Sequence, residues 1–524
     1  MNSRRQLINS ILLAATALVF GASLFAQEAV PTDDVTRESL KFAQVCALVE
    51  RNHADPVDPD QVILEGAVRR MLSALDPFSS FFNPDQFELL RQQSQGKALG
   101  FGSVLYVTPE KVVVLQAAEK SPAWRAGLGP GDEIVEVNGQ RVGRLDFQSL
   151  VELLERARSH PVTLGVVHPG KVLPEYLKLD PAEVALPTVD KAFLLEPGIA
   201  YLHLTGFEQK TPQEVLDALE RLGVSNLKGL LLDLRDNHGG LLDSAVATVS
   251  LFLRPGLTVL TVKGRAVPEK SSQTIPAPAR FEMPVIVLVN GNTASAAEIV
   301  AAALEEHDRA LIVGEPTFGK GVVESVWPLS GKMGLALTTA QYFTASGRSI
   351  QRPLAGTALA EPHETAGNDP RPRPFHTDNG RTVAAEGGVT PDVEIPARPL
   401  DPWAVFLDQR GVFTNFASEY LTRRGRVSRS YEPDEKTLDE LRDYLNRHNI
   451  RAPEEYWDQD QPFLKLRIRT EIFNLIFGLS VGNEVETQGD PQVQKAAALF
   501  PKILELLKPP AAKPEARPAQ GAGK

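Results

Sequence analysis

Between residues 199 and 289 the branched aliphatic residues gather into short runs closed by turn-forming residues. Ile199-Ala-Tyr-Leu-His-Leu204, Leu230 to Leu234 and Met283 to Val289 are runs of this kind, and their length and Val, Ile and Leu content predict buried strands. After the third run comes the turn Asn290-Gly291-Asn292, and then an Ala-rich segment, 294–306, with high helix propensity and with Asn292 and Thr293 available as caps. Upstream the pattern changes to alternation. Lys111 to Leu115 and Glu133 to Val137 read as half-buried strands, and Phe147 to Arg158 reads as a helix. Val62 to Leu75 carries apolar residues at helical spacing, and Leu438, Leu441 and Leu445 share one helical face. Strands and helices alternate in the centre, with helical segments at both ends.

Length and composition refine this picture. A chain of 524 residues suits about three or four domains. A net charge of −11 with no sustained basic patch argues against nucleic acid as a partner. Cys46 is the single cysteine, which excludes an intramolecular disulfide; it is expected as a buried helix residue. Arg4 and Arg5 precede an apolar stretch from Ile11 to Ala26, the order of a secretory leader or an uncleaved membrane anchor. Both routes lead to a periplasmic or otherwise extracytoplasmic location. Pro353 to Glu386 is rich in Pro, Gly, Thr and charge and is expected as a long mobile loop, and 509–524 as a disordered tail.

Candidate chemistry centres on Ser295 and Lys320. A strand, a tight turn and a helix place Ser295 in the first helical turn, where unpaired N–H groups favour developing negative charge. A serine needs a base, and the nine histidines offer no evident His-Asp pairing. Lys320, between Gly319 and Gly321 and near Val313, Phe318, Val322 and Val323, could serve if apolar burial keeps its amine neutral. Asp233-Leu-Arg-Asp-Asn-His-Gly-Gly240 joins a strand to a helix, and its paired glycines can turn backbone N–H groups into a cleft. There is no H-E-x-x-H and no cysteine cluster, so neither a metal nor an organic cofactor is expected. From these residues alone, a capping serine and a solvated lysine are the more usual reading.

The strings Asp233 to Gly240, Thr293-Ala-Ser-Ala-Ala-Glu298, Phe318-Gly-Lys-Gly321 and Tyr342-Phe-Thr-Ala-Ser-Gly-Arg-Ser-Ile-Gln351 resemble the carboxyl-terminal processing peptidases, or tail-specific proteases, in order and spacing. The resemblance implies Ser295 as nucleophile, Lys320 as general base, and an oxyanion hole from the N–H groups of Ala296 and of Gly239 or Gly240. Within these four strings and the residues just after them, it departs from the family at two places. Glu324 stands where glutamine is usual, and an ionised carboxylate there would oppose the base role of Lys320; His238 stands where proline is usual. Leu75-Asp76-Pro77-Phe78-Ser79-Ser80-Phe81-Phe82 resembles a family signature that commonly has histidine at the position of Phe78, and is expected to be a packing and oligomerisation element without chemistry. Ser121 to Gly139 resembles a PDZ domain, with Leu99, Gly100, Phe101 and Gly102 as its carboxylate-binding loop, a place where backbone N–H groups can capture a peptide C-terminus.

The fold class implied is α/β within a multidomain α+β chain: a crotonase/ClpP-like βαβ protease core with an inserted PDZ domain and helical N- and C-terminal regions. The expected divisions are a leader at 1–26, a helical region at 34–95, the PDZ domain at 96–172, the core at 173–400 and C-terminal helices at 401–508. The function implied is a secreted serine endopeptidase that takes protein or peptide substrates by the C-terminus, with a homo-oligomer or an adaptor as a further expectation. The alternative is a catalytically impaired PDZ scaffold or adaptor, made credible by Glu324 and His238.

Overall fold

The structure is a computed structural model and describes residues 33–94, 97–107, 111–277, 281–354, 374–384, 387–399 and 401–507. The expected leader and tail lie outside them. The first helix, Asp33–Asn52, is exposed along nearly its whole length, and Cys46 on it is half-buried rather than buried. The expected helix at 62–75 is a wide-turned segment, Asp60–Val68, continued by Arg69–Ser73, with Leu72 as its buried residue. Strand β1 (Ser80–Phe82) follows.

The PDZ-like unit begins with β2 (Lys97–Gly100) and continues through β3 (Ser103–Val107), β4 (Val112–Ala117), β5 (Glu133–Val137), β6 (Gln140–Arg141), β7 (Val162–Val167) and β8 (Glu175–Leu179). Strands β3-β4-β5-β7-β8 pair in that order, with β6 on β5. The sheet therefore runs past residue 172, where the sequence placed its end. The helix Phe147–Ala157, capped by Asp146, buries Leu150, Leu153 and Ala157 against the sheet. Strand β9 (Ala182–Ala185) returns to pair with β2.

The core sheet starts at β10 (Val189–Glu196), before the expected first strand, and continues with β11 (Ile199–Leu204) and β12 (Gly229–Asp233). Strands β13 (Thr258–Lys263) and β14 (Lys270–Gln273) leave it, and β15 (Val285–Val289) and β16 (Ala310–Gly314) rejoin it. Beyond come β17 (Val322–Pro328), β18 (Gly334–Thr344), a hairpin of β19 (Phe375–His376) and β20 (Thr382–Val383), and β21 (Val393–Glu394). The order β10-β11-β12-β15-β16-β21 is parallel except for β10. Every residue of β12, β15 and β16 is buried, as expected when helices cover both faces of a parallel sheet. Leu230, Val287 and Ile312 pack under the helices Thr211–Arg221, Leu242–Ser250 and Ala296–Glu306. Their neighbours Leu231, Ile286, Leu288 and Leu311 point the other way, against Val493, Ala496 and Ile503 of the C-terminal helices. Each such side chain contributes about 1.5–3 kcal/mol on burial.

A second core sheet has β18 at its centre, flanked by β1 and β13 on one edge and by β17 on the other. The described part of the expected loop at 353–386 contains the β19–β20 hairpin, and the rest lies outside the described residues. Leu438, Leu441 and Leu445 share a buried face of Glu435–Arg447, as their spacing predicted. The C-terminal helices also reach the PDZ-like sheet, where Tyr106 donates to the Gly411 carbonyl at 3.0 Å and Lys111 to Ser418 at 2.9 Å.

Candidate active site

Two loops meet at the carboxyl ends of the parallel strands. In the first, Thr293 donates to the Leu234 carbonyl at 2.8 Å, and the Ala294 N–H donates to the Asn237 carbonyl at 2.9 Å, so the turn after β15 is tied to the turn after β12. Ser295 is the residue preceding the helix Ala296–Glu306, not a member of its first turn. It takes φ 56° and ψ −119° and is 3% exposed. A non-glycine residue at positive φ costs about 1–3 kcal/mol and persists only when its surroundings enforce it. Here the Ser295 N–H is held by Glu298 at 2.9 Å and its carbonyl by the Tyr342 hydroxyl at 3.2 Å, and Gly239 packs so close that a Cβ there would sit 2.8 Å from the Ser295 Cβ and 2.9 Å from the Ala296 nitrogen.

The glycine pair is more constrained than its sequence suggested. The Gly239 N–H donates to Asn237 Oδ1 at 2.9 Å, and its carbonyl accepts from the Phe207 N–H at 2.9 Å. That leaves Gly240, beside Ser295 and Ala296 in a narrow cavity closed by Leu242, Ile299, Val322, Val323 and Tyr342, as the better-placed N–H donor. Gly240 has φ 145° and lies so close to Phe207 that a Cβ would fall 2.2 Å from its carbonyl oxygen. His238 is half-buried in the same turn.

The second loop carries Lys320, which is 1% exposed. Glu298 fastens it to the first. This fully buried carboxylate accepts the N–H groups of Ser295 (2.9 Å), Gly319 (2.7 Å) and Lys320 (2.9 Å) and the Thr317 hydroxyl (2.5 Å). Burial pushes the Glu298 carboxyl up to about 7 against the pull of those four donors. The Tyr342 hydroxyl adds a second tie, to the Ser295 carbonyl at 3.2 Å and to the Lys320 carbonyl. From the same motif, Gln351 accepts the Gly321 N–H at 2.8 Å, and buried Arg348 pairs with Glu305 and Glu306 at the far end of the Ser295 helix. Asp233 and Arg235 pair with each other, and Arg235 extends to Asp490 and Gln492, so they dock the C-terminal helices onto the strand end.

Glu324 turns inward and is 3% exposed. Its Oε1 lies at ion-pair distance, 3.0 Å, from Lys320 Nζ, and both carboxyl oxygens are buried without a hydrogen-bond partner among the described residues. Burial raises its carboxyl above the usual range, and the Lys320 charge beside it opposes that rise. The apolar surroundings of Lys320 differ from those expected. Phe318 is 42% exposed, and Val313 faces the opposite layer of the sheet. The Phe78 ring takes their place, with its centroid 4.7 Å from Nζ, packed with Val322 and Leu354. The segment 75–82, expected as a packing element without chemistry, thus packs directly against the Lys320 amine.

Leu99, Gly100, Phe101 and Gly102 are not brought to Ser295. They line a separate cavity of about 350 Å³ in the PDZ-like unit, between edge strand β3 and the helix Phe147–Ala157. Leu105, Ile134, Leu154 and Leu164 give it an apolar interior, and Arg158 lies at its rim, donating to the Leu99 carbonyl at 3.1 Å. Sequence reasoning assigned no role to Glu298, Asn237 or Tyr342, and only a packing role to the segment of Phe78. Only Glu298 carried a readable local signal, the Ser-x-x-Glu pattern of a helix start. No grouping of His, Cys, Asp and Glu suited to a metal occurs among the described residues.

The profile of peptidase family S41 matches residues 198–358, and that of the PDZ domain matches residues 113–167. The carboxy-terminal-processing protease of Bartonella bacilliformis is 31% identical over 353 residues, covering 66% of this chain and 79% of that protein. The chloroplastic carboxyl-terminal-processing peptidase 2 of Arabidopsis thaliana is 30% identical, covering 67% and 74%. Among solved structures, the photosystem II D1 C-terminal processing protease aligns over 70% of this chain and 96% of its own with 26% identity and a TM-score of 0.36. The chain belongs to peptidase family S41, among the carboxyl-terminal processing proteases, and is a serine-type peptidase that carries a PDZ domain.

Proposed function

We propose that this C-terminal processing protease acts outside the cytoplasm, through an acyl-enzyme formed on Ser295 with Lys320 as its general base. The observation that carries this reading is the Glu298 carboxylate, which fastens the backbones of Ser295 and Lys320, 25 positions apart, into one buried site. The neutral Lys320 amine takes the Ser295 proton as the hydroxyl attacks the scissile carbonyl, and the N–H groups of Gly240 and Ala296 receive the oxyanion. The ammonium then protonates the leaving amine, and water, deprotonated by the same amine, releases the product.

The Glu324 carboxyl lies 3.0 Å from Nζ, and while ionised it opposes loss of a proton there. It therefore sets how readily the amine becomes available. The PDZ domain supplies substrate: an extended peptide adds to edge strand β3, its carboxylate meets the backbone of Leu99 to Gly102, and its last side chain enters the apolar cavity. That cavity favours an apolar C-terminal residue. The expected leader at 1–26 supports export.

The test is cleavage of a protein with an apolar C-terminus by the wild type, Ser295→Ala and Lys320→Ala. Both variants are expected to lose at least about a thousandfold in kcat, the scale of removing a member of such a catalytic unit. A Ser295→Ala protein as active as the wild type would return the chain to the scaffold reading.

A further inference from the structure

We propose that the segment Asp76 to Phe82, which precedes the residues 198–358 matched by the protease-family profile, is a working part of the catalytic centre, with Phe78 as a positioning residue that roofs the Lys320 amine and holds it against Glu324. This inference rests on the reading of Lys320 as the base.

The segment is anchored with some redundancy. Asp76, 5% exposed, accepts the N–H groups of Phe78 (2.8 Å) and Ser79 (2.7 Å), the Ser79 hydroxyl (2.9 Å) and the Thr338 hydroxyl (3.1 Å). Ser79 Oγ in turn accepts the Thr338 N–H at 3.1 Å, and Ser80 to Phe82 then pair with β18. Thr338 is the residue of β18 that stands opposite Glu324 on β17. A single carboxylate thus fixes the turn that carries Phe78 to the same register position that carries the lysine's partner. The result is a ring 4.7 Å and a carboxylate 3.0 Å from Nζ, with all three side chains buried.

The charged and titratable groups about Lys320 come from every element packed there. Glu324 lies on its own strand segment, Glu298 on the Ser295 helix accepts its N–H, Tyr342 on β18 meets its carbonyl, and Asp76 faces Glu324 from the N-terminal segment. Arg352 spends its guanidinium on the Thr317 and Gly387 carbonyls. Within this set Phe78 acts in two opposed ways. Its face attracts the ammonium, which hinders loss of the proton. Its bulk keeps water away, which favours the neutral amine. Two substitutions separate the effects: Phe78→Leu keeps most of the bulk and loses the face, and Phe78→Ala loses both and admits water.

The experiment measures kcat/KM against pH for the full chain on a peptide with an apolar C-terminus, with the active fraction fixed by titration with a fluorophosphonate. Phe78→Leu is expected to move the acid limb down by about 0.5–1 in pH, the scale of a lost cation–π contact. Phe78→Ala is expected to move it up by about 1 in pH, because rehydration outweighs that loss. Opposite displacements support the proposal. Unmoved limbs, or limbs displaced in the same direction, overturn it, as does a lowered melting temperature with an unmoved limb, which is all a structural residue would produce. If Phe78→Ala does not fold, the direction in which the Phe78→Leu limb moves decides. Lys320→Ala in the same assay keeps the two readings apart. Retained activity there defeats the base assignment, whereas lost activity combined with unmoved Phe78 limbs defeats only the roof.

Discussion

Replacing Glu324 with glutamine removes one negative charge and almost no volume, at a position where the charge lies 3.0 Å from the Lys320 amine. At an effective dielectric of about 20, unit charges at that separation attract by about 5 kcal/mol. Part of that attraction offsets the cost of burying both groups. An opposite charge at such range typically displaces proton release by about 1–3 in pH, or about 1.4–4 kcal/mol. The sign follows from the mechanism. The carboxylate favours the ammonium, activity needs the neutral amine, and so Glu324→Gln moves the acid limb of kcat/KM to lower pH. A limb that moves down by about 1 in pH gives about a tenfold gain at a fixed pH on its slope, while the plateau stays within a fewfold. Stability provides a second readout. An ammonium left buried without its partner would cost about 3–5 kcal/mol, so a variant that sheds the proton keeps its melting temperature near neutral pH and one that cannot does not. The assay is a pH series on a fluorogenic peptide with a free apolar C-terminus, paired with thermal melts. Superimposable pH profiles for wild type and variant would refute the reasoning and remove Glu324 from the mechanism.

Gly239→Ala would place a Cβ 2.8 Å from the Ser295 Cβ, at φ 98°. Loss of cleavage by about a hundredfold or more is expected, with C-terminal peptide binding to the PDZ domain unchanged by calorimetry; equal losses in both would show general misfolding. Tyr342→Phe leaves the Ser295 and Lys320 carbonyls without their shared donor, and should lower unfolding stability by about 1–3 kcal/mol in denaturant titration and reduce kcat more than it changes KM. Glu298 is raised to about 7 by burial, above its value in an unfolded chain, so its contribution is complete below about pH 4.5 and is lost as pH rises through about 7. Glu298→Gln should flatten the fall in stability across that window, and an unchanged slope would place the titration elsewhere. Amidation of a substrate's C-terminus should raise KM by about tenfold or more with little change in kcat if, as proposed, the PDZ domain and not the catalytic loops receives the chain end.

What the chain alone determined was the local layout. A Leu run at β12 and a Val and Ile run at β15, each followed by a turn with Asn and Gly, marked those strands, alternation gave β5 to the residue, and periodicity marked the helix at 147–157 to within a residue and the buried face of the helix at 435–447, because each depends on spacing within one segment. The motifs around Gly240, Ser295 and Lys320 were legible for the same reason, since each is a turn with its own glycines. Tertiary structure decided what lies between segments. Nothing near Glu298 states that its carboxylate will collect donors from residues about 20 positions away, and nothing near Phe78 states that β1 pairing with β18 will set its ring over an amine some 240 residues later. The inward turn of Glu324 and the capture of the Gly239 N–H by Asn237 have the same origin. A buried polar group must find its partner wherever the fold brings one, and partners distant along the chain leave no local pattern to read.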